Sequence, residues 1–324
     1  MTWSVNEEGL EIISPILDHP QRYGARVEKT PGGATIVDMG IDIEGSWQGA
    51  KLFVEASFGG LADVTYARMA IKDLDVAAVD VMVDRPMLAV VACQVGAMRL
   101  GTGEFAGLGS GPARAKARTD AWAQRVAYED PSPYVLVQFQ MPDMPAEELL
   151  QSVADACDEP LVNVTAMVAP TASLVGSVQV AARAFEQCMV ALGRNTSFDL
   201  ESIVCAHARA PIAPVVKDEL IAMGRTNDCL VYGGSSFLWV RHPDDEEVRK
   251  ATETLPFAGR AGEFYGKGFK EIFEAFGRNL YNIPAHMDGP AKMAMNNMLT
   301  GSVFVAGEIN IDLLYQSFTE QTGG

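Results

Sequence analysis

Segments with the composition of strands alternate with helix-forming segments along the whole chain of 324 residues. The strand-like segments are short runs rich in β-branched and aromatic residues, at 35–43, 76–84, 134–141, 161–168, 229–232 and 237–241. The helix-like segments lie at 112–127, 143–157, 215–223 and 262–276. Because such alternation favours layered α/β architectures, we predict an α/β fold with mixed sheets and flanking helices.

The length of the chain exceeds what one small hydrophobic core needs, so we expect two α/β lobes. We place the boundary ahead of a long apolar segment, which gives lobes of residues 1–168 and 169–324. Whether the lobes are interleaved stays open, because no linker or low-complexity tract marks a boundary.

The composition is strongly acidic, with 25 Lys and Arg against 42 Asp and Glu and a net charge of −17. Such a chain repels nucleic-acid phosphates and anionic membrane surfaces. Glu7 and Glu8 stand where a signal peptide has a basic start, and the most apolar stretch, 86–98, is too short to span a bilayer. We therefore expect a cytoplasmic protein that binds neither nucleic acid nor membrane.

The five cysteines and four histidines lack the spacing of disulfide frameworks or metal sites. The cysteines are far apart without a C-x-x-C pair, which indicates buried thiols in a reducing compartment. The histidines show no H-x-H or H-E-x-x-H pattern, and neither a G-x-S-x-G sequence nor a P-loop is present. We expect no metal and no nucleotide cofactor.

A glycine-rich sequence, GLGSGP, is a candidate anion-binding loop. Gly109 and Gly111 let the backbone approach a ligand, and the proline would begin a helix whose free amides point back at the loop. Ser110 and Arg114 would help to hold a phosphate or carboxylate there. The alternative is a tight strand-to-helix turn that needs glycine only for its dihedral angles.

In the segment 167–192, the part after Pro170 is predicted to be one buried helix, with Thr171 or Ser173 as its N-cap. It is apolar nearly all round but carries two charges, Arg183 and Glu186, three positions apart and therefore on one face.

Gln179 lies one turn before Arg183 and joins the same stripe of the helix. An Arg–Glu pair at this spacing is usually a surface salt bridge worth about 0–1 kcal/mol. A buried pair costs desolvation energy, and a site that faces a cleft is one reason to keep it. A carboxylate beside a guanidinium can accept a proton from water, while the arginine orients the carboxylate or stabilises charge. The local sequence leaves the structural and the catalytic interpretation open.

Six motifs together resemble the methenyltetrahydromethanopterin cyclohydrolase family. They occur in the family's order, and the likeness extends from Gly33 to Phe318, nearly the whole chain. The motifs are Gly59-Gly-Leu61, Gly107-Leu-Gly-Ser-Gly-Pro-Ala-Arg114, Ala169-Pro-Thr-Ala-Ser-Leu-Val-Gly-Ser-Val-Gln179, Ala210-Pro-Ile-Ala-Pro214, Met223-Gly-Arg-Thr-Asn-Asp228 and Gly233-Gly234.

The resemblance implies two α/β lobes with a deep cleft between them, a homotrimer, a pterin substrate and no metal or nucleotide cofactor. The implied reaction is the reversible hydrolysis of the methenyl bridge of a tetrahydropterin to a formyl group. The family's catalytic arginine and glutamate correspond to Arg183 and Glu186. The substrate-binding candidates are Thr171, Ser173, Gln179, Gly109, Ser110, Gly111 and Arg114, with Arg225, Thr226 and Asn227 opposite.

The sequence departs from the family pattern at three places. Residues 93–98 lack the tryptophan usual there, Lys267-Gly268 stands where Lys-Pro is common, and residues 285–290 replace a Phe- or Ser-containing turn. These departures leave an alternative function open, a pterin-binding or scaffold paralogue without catalysis. A further alternative is a nucleotide-binding protein that uses the glycine-rich segment.

Overall fold

The computed structural model describes residues 3–101, 107–279 and 282–320, which form mixed α/β structure as predicted. They fall into two compact units. The first unit comprises Met1–Asp63 and Met87–Gln179, and the second comprises Val64–Pro86 and Val180–Gly324. The predicted lobes have one boundary, at 168/169, with interleaving left open, whereas the chain passes from one of these units to the other three times.

The secondary structure elements have the following bounds. The strands are β1 (Arg26–Lys29), β2 (Thr35–Asp38), β3 (Ala62–Ile71), β4 (Leu74–Asp84), β5 (Met98–Leu100), β6 (Gly107–Ser110), β7 (Val135–Gln140), β8 (Val164–Ala169), β9 (Ile203–Pro211), β10 (Ser235–Val240), β11 (Lys292–Asn297) and β12 (Val303–Gly307). The α-helices are α1 (Val5–Asp18), α2 (Trp47–Ser57), α3 (Ala113–Ala117), α4 (Glu147–Cys157), α5 (Leu174–Ala181), α6 (Ala184–Asn195), α7 (Glu219–Val231), α8 (Asp245–Thr254), α9 (Phe269–Ala275) and α10 (Ile311–Thr319), and a π-helix spans Met87–Gln94.

The first unit is built on a six-stranded sheet of order β1-β2-β8-β7-β6-β5. Its centre is parallel, since β8 pairs in parallel with both β2 and β7, and its outer pairs are antiparallel. Alternate residues of β7 face opposite sides. Val135 and Val137 pack in one core with α4, whereas Leu136 approaches α1 and the Gln138 amide donates to the Phe53 carbonyl of α2 at 2.6 Å. Burial on both faces explains the nearly continuous apolar sequence of this strand.

The second unit is built on a six-stranded sheet of order β12-β11-β10-β9-β4-β3. The β10–β11 pair is parallel, and the β4–β9, β9–β10 and β11–β12 pairs are antiparallel. One face of the sheet packs against α6 and α8. The opposite face carries exposed apolar side chains, with Met82, Val303 and Val305 each more than half exposed. This one-sided burial is typical of sheets in which antiparallel pairs dominate.

The predicted helix at 112–127 and the predicted strand at 229–232 are wrong. Residues 112–127 do not form one helix, because α3 ends at Ala117 and Arg118 adopts the left-handed conformation, with φ 48°. Residues 229–232 are not a strand but the end of α7 and its C-cap. A short apolar run has the same composition in a buried strand and in a buried helix turn, so periodicity does not separate the two.

Several other predicted elements are confirmed with shifted ends, whereas in the predicted helix 262–276 only Phe269–Ala275 is α-helical. The acidic first turn at Glu147 and Glu148 does begin a helix, α4, which ends at Cys157. Within the described parts of the chain, none of the helices combines the length and the hydropathy that crossing a membrane demands.

Candidate active site

Arg183 and Glu186 lie where α5 ends and α6 begins. The single helix predicted over this segment is wrong, because a turn at Ala182 and Arg183 separates the two helices. In the turn the Arg183 N–H donates to the Val180 carbonyl at 2.9 Å, and the Arg183 carbonyl accepts from the Gln187 N–H at 2.9 Å. With φ −85° and ψ 5°, Arg183 is the N-cap residue of α6, so Glu186 stands in the first turn of that helix.

The two side chains form an ion pair at the start of α6. Arg183 Nη1 donates to Glu186 Oε2 at 2.5 Å, and the side chains are 16% and 13% exposed. The pair is therefore mostly withdrawn from water, where its attraction is screened less than at an open surface. The first turn also suits a carboxylate, because it lies at the positive end of the helix dipole. A carboxylate held in a fixed orientation and still reachable by solvent is what a general base requires.

A second carboxyl group, Asp288, lies near the start of α6 and was not selected from the sequence. It accepts a hydrogen bond from the Gln187 side chain and interacts electrostatically with Glu186. Burial raises the pKa of Asp288 to about 6. The only sequence signal was its position in the divergent 285–290 segment, and nothing in the sequence connects that segment with α6.

Ser173 and Thr171 stand at the start of α5. Ser173 is the N-cap, as one of the two predicted choices: its hydroxyl donates to the Pro170 carbonyl at 2.7 Å and accepts from the Gly176 N–H at 3.0 Å. The Thr171 hydroxyl accepts from the Gln140 amide at 2.6 Å. Both hydroxyl groups therefore have partners within the first unit.

Gln179 is the last residue of the first unit and is 4% exposed. Its Oε1 is buried without a hydrogen-bond partner among the residues that the structure describes. A buried acceptor without a donor costs about 1–3 kcal/mol, so a donor that reached this oxygen would bind favourably.

Most of the glycine-rich segment, Gly107–Ser110, is a strand and not the predicted loop. As β6, Gly109 and Ser110 pair with β7, and Gly109 also pairs with Met98 of β5. The Gly111 N–H donates to the Cys93 carbonyl at 3.0 Å. The helix that follows, α3, has five residues and begins at Ala113 after Pro112. The geometry thus supports the alternative interpretation, in which glycine serves the backbone path, and Gly111 has φ 93°.

Arg114 has a structural role instead of the predicted anion-binding role. It is completely buried, and its Nη1 donates to the carbonyls of Val91 and Cys93, both at 3.1 Å. Its Nε and Nη2 donate to the Asp120 carboxylate at 3.1 and 2.7 Å. The guanidinium joins the π-helix to the turn at Asp120 and presents no face to a ligand.

The side chains of three predicted binding residues donate hydrogen bonds to backbone carbonyls of α7 and of the end of α10. The three are Arg225, Thr226 and Asn227. Arg225 donates to the carbonyls of Ser317 at 3.0 Å and Glu320 at 3.3 Å, near the end of α10. The Thr226 hydroxyl and the Asn227 amide donate one turn back within α7, each at 2.9 Å. These bonds stabilise α7 and α10 and do not support the predicted binding of the pterin tail.

A cavity of about 400 Å³ lies in the second unit between α7, α9 and α10. Its lining includes Arg225, Asp228 and Lys270. Asp228 is 3% exposed and accepts from the Ser317 hydroxyl and the Phe269 N–H, both at 2.7 Å. Burial raises the pKa of Asp228 to about 7, although these hydrogen bonds oppose the shift.

The histidine nearest to a cysteine in sequence, His207, binds a carboxylate. His207 Nε2 and the Arg209 guanidinium both contact Asp80, each at 2.7 Å, across the β4–β9 pair. Over residues 3–101, 107–279 and 282–320, no group of three or more His, Cys, Asp or Glu side chains is placed to hold a metal ion.

The fold and this pair define a class of protein. An α/β chain that holds a carboxylate against a guanidinium, partly buried at a helix start, has the groups that acid–base hydrolysis uses. It is therefore a candidate hydrolase.

The family model described as Cyclohydrolase (MCH) matches residues 4–318 of the chain. Methenyltetrahydromethanopterin cyclohydrolase of Methanocaldococcus jannaschii is 33% identical over 317 residues, which cover 97% of this chain and 98% of that protein. The proteins of the same name from Methanothermobacter thermautotrophicus and Methanococcoides burtonii are 32% and 31% identical, over 97% of this chain and 99% and 98% of their own. The chain therefore belongs to the Cyclohydrolase (MCH) family, and the predicted resemblance is confirmed.

Proposed function

We propose that this protein is a hydrolase of a cyclic amidine, which converts methenyltetrahydromethanopterin reversibly to formyltetrahydromethanopterin. The carrying observation is the ion pair of Arg183 and Glu186, 2.5 Å apart and mostly buried at the start of α6. Family membership supports the same assignment, because the curated relatives are named methenyltetrahydromethanopterin cyclohydrolases.

The proposed reaction proceeds by general acid–base catalysis. The bridge carbon lies between two nitrogens that share a positive charge, so it is electrophilic without a metal ion. Glu186 accepts a proton from water as the water oxygen forms its bond to this carbon, which gives a neutral tetrahedral adduct. Glu186 then returns the proton to the departing nitrogen as the carbon–nitrogen bond breaks. The hydroxyl group of the adduct loses its own proton to solvent as the formyl C=O bond forms, so hydrolysis of the cation releases one proton. Arg183 holds Glu186 in the orientation that both transfers need.

The substrate-binding part of the proposal is narrower than the set predicted from sequence. Gln179 stays in it, because its buried Oε1 has no partner within the described chain and would accept from a pterin N–H. Ser173 and Thr171 also stay in the proposed substrate-binding set, because they belong to the same sequence motif as Gln179. We do not extend the proposal to Arg114 and Arg225, because their guanidinium groups bind protein carbonyls.

We further propose that the protein is cytoplasmic and forms a homo-oligomer, the trimer that the resemblance implies. All five cysteines are free thiols, which suits a reducing compartment. The exposed apolar side chains Met82, Val303 and Val305 on the open face of the second sheet offer a surface for self-association.

A direct assay tests the proposal. Purified protein is mixed with methenyltetrahydromethanopterin, and the loss of methenyl absorbance is followed against a protein-free control. We expect a rate that is proportional to protein concentration and far above the spontaneous rate. A folded protein that binds the pterin in a calorimetric titration but gives only the spontaneous rate would favour the non-catalytic alternative.

A further inference from the structure

The segment that carries Asp288 is fixed along α6. The short 3-10 turn Ala285–Met287 packs against α6. The Asn195 amide donates to the Ala285 carbonyl at 3.2 Å, and the Arg260 guanidinium donates to the His286 carbonyl. Asp288 follows this turn directly. The hydrogen bonds from Asn195 and Arg260 to the turn therefore set the position of Asp288 relative to α6.

Asp288 is connected to the candidate base through the first turn of α6. Gln187, the neighbour of Glu186 in sequence, donates its side-chain amide to the Asp288 carboxyl group. The Oε1 of the same Gln187 amide is buried and has no hydrogen-bond partner in the described part of the chain. The Gln187 amide nitrogen is directed at Asp288 while its Oε1 stays without a donor among the described residues, and a buried acceptor without a donor costs free energy. The bond to Asp288 therefore fixes the orientation of the Gln187 side chain.

Charged groups from each packed element act on Asp288. Glu186 and Arg194 act from α6, and Arg260 acts from the segment that holds the turn. The Cys188 thiol of α6 also interacts with Asp288, and His286 lies in the turn itself. Burial is the main cause that raises the pKa of Asp288 to about 6, and the Glu186 charge adds to it, whereas Gln187 and the arginines oppose it. Asp288 therefore gains its negative charge as the pH rises through this value.

We infer that Asp288 is a positioning residue for the reaction, one that orients the first turn of α6 and places a negative charge beside Glu186. This inference rests on the proposed function. When Glu186 accepts the proton from water, it loses its negative charge, and its repulsion with the Asp288 carboxylate disappears. The ionised Asp288 thus favours the state that forms during the attack of water over the state that precedes it, which is how a charge accelerates a step.

The test compares the pH dependence of hydrolysis in two variants and a control. Asp288→Asn keeps the shape and an acceptor for Gln187 but removes the charge. Gln187→Met removes the hydrogen bond and keeps the carboxyl group. Asp312→Asn changes an exposed carboxylate, 86% exposed, and serves as the control. For each protein, kcat and KM for methenyltetrahydromethanopterin are measured from pH 5 to pH 8.5 at constant ionic strength.

We expect the wild-type protein and Asp312→Asn to lose kcat/KM as the pH falls through about 6, where Asp288 becomes protonated. Asp288→Asn should lack this acid limb and lose about tenfold in kcat at pH 7.5 with little change in KM, since the residue acts through Glu186 and not on the substrate. Gln187→Met should move the acid limb to higher pH, because the hydrogen bond that lowers the pKa of Asp288 is gone.

An acid limb and a kcat that are unchanged in Asp288→Asn would overturn the inference. If that variant does not fold, a Gln187→Met profile that coincides with the wild type would overturn it instead. Failure of the proposed function is visible separately, because the folded wild-type protein would then show no hydrolysis at any pH, and the inference would fall with it.

Discussion

At the scale of single residues, the ion pair of Arg183 and Glu186 is mostly withdrawn from water and yet still reachable by solvent. Withdrawal from water strengthens the interaction, but it also removes the hydration of both charges. The first turn of α6 offsets part of that cost for Glu186, because the helix dipole favours a carboxylate there. The pair keeps 16% and 13% exposure, so a water molecule still has access to it.

Replacement of Glu186 by glutamine tests the role of the carboxylate. Glu186→Gln keeps the side-chain shape but cannot accept a proton, so kcat should fall by about 10²–10⁴-fold, the usual contribution of a general base. Pterin affinity, measured by calorimetry, should stay within a few-fold of the wild type. Glu201→Gln, a change at an exposed position, is the matched control. Turnover that survives in Glu186→Gln would remove this residue from its role.

Replacement of Arg114 tests its structural role. Arg114→Met leaves the Asp120 carboxylate and the carbonyls of Val91 and Cys93 without their donor, so the free energy of unfolding should fall by about 3–5 kcal/mol. Urea titration measures the loss, and Arg125→Met, at an exposed position, should cost less than about 1 kcal/mol. A stable Arg114→Met protein with weakened pterin binding would restore the ligand-binding interpretation.

At the scale of elements, sequence patterns predicted strands β2, β4, β7, β8 and β10 and the proximity of Arg183 and Glu186, but not the break between α5 and α6. Neither glycine nor proline marks the break at Ala182 and Arg183, and apolar residues continue on both sides. The same limit applies to β6, where a glycine-rich sequence was interpreted as a loop. Its strand conformation depends on pairing with β5 and β7, which a local pattern does not contain.

Asp288 shows why the rest of the site escaped prediction. Its neighbours Glu186 and Gln187 come from a distant part of the chain, and only the packing of a short turn on α6 brings them together. Local sequence reasoning finds pairs within one helix, such as Arg183 and Glu186, because their spacing encodes their proximity. It does not find partners whose proximity is decided by tertiary packing.

Asp228 links three helices, and its burial makes the stability of the second unit depend on pH. The pKa of Asp228 is raised from 3.8 to about 7, so the folded state binds more protons than the unfolded state between these values. Stability should therefore fall as the pH rises from about 4 to about 7. Since each pKa unit corresponds to about 1.4 kcal/mol, the loss from this group is on the order of 4 kcal/mol.

The variant Asp228→Asn tests this dependence. It should keep contacts with Phe269 and Ser317 but cannot ionise, so the fall in stability between pH 5 and pH 8 should be smaller than in the wild type. Urea unfolding at several pH values measures the difference, with Asp63→Asn as an exposed control. Parallel stability curves for the wild type and Asp228→Asn would contradict the explanation.

At the scale of the whole molecule, the two units share the chain in alternation, and the β3–β4 hairpin is inserted into the sequence of the first unit. The first unit needs segments from both sides of the hairpin. Asn6 of α1 accepts from the Leu136 N–H of β7 at 2.8 Å, and β2 pairs with β8. The hairpin itself pairs with β9 of the second unit. A cut at one position therefore does not separate the units.

Replacing the hairpin by a short linker tests whether the first unit folds alone. The linker has to reach from Asp63 to Met87, the residues on either side of the replaced segment, so a flexible Gly- and Ser-rich linker of about ten residues is used. A chain of residues 1–179 with residues 64–86 replaced by such a linker should give the circular dichroism and amide dispersion of a folded α/β protein. The same chain with the hairpin retained should aggregate, because β4 would expose the edge that pairs with β9, together with its buried valines. An unfolded linker protein, beside a folded full-length chain, would show that the first unit depends on the second for its stability.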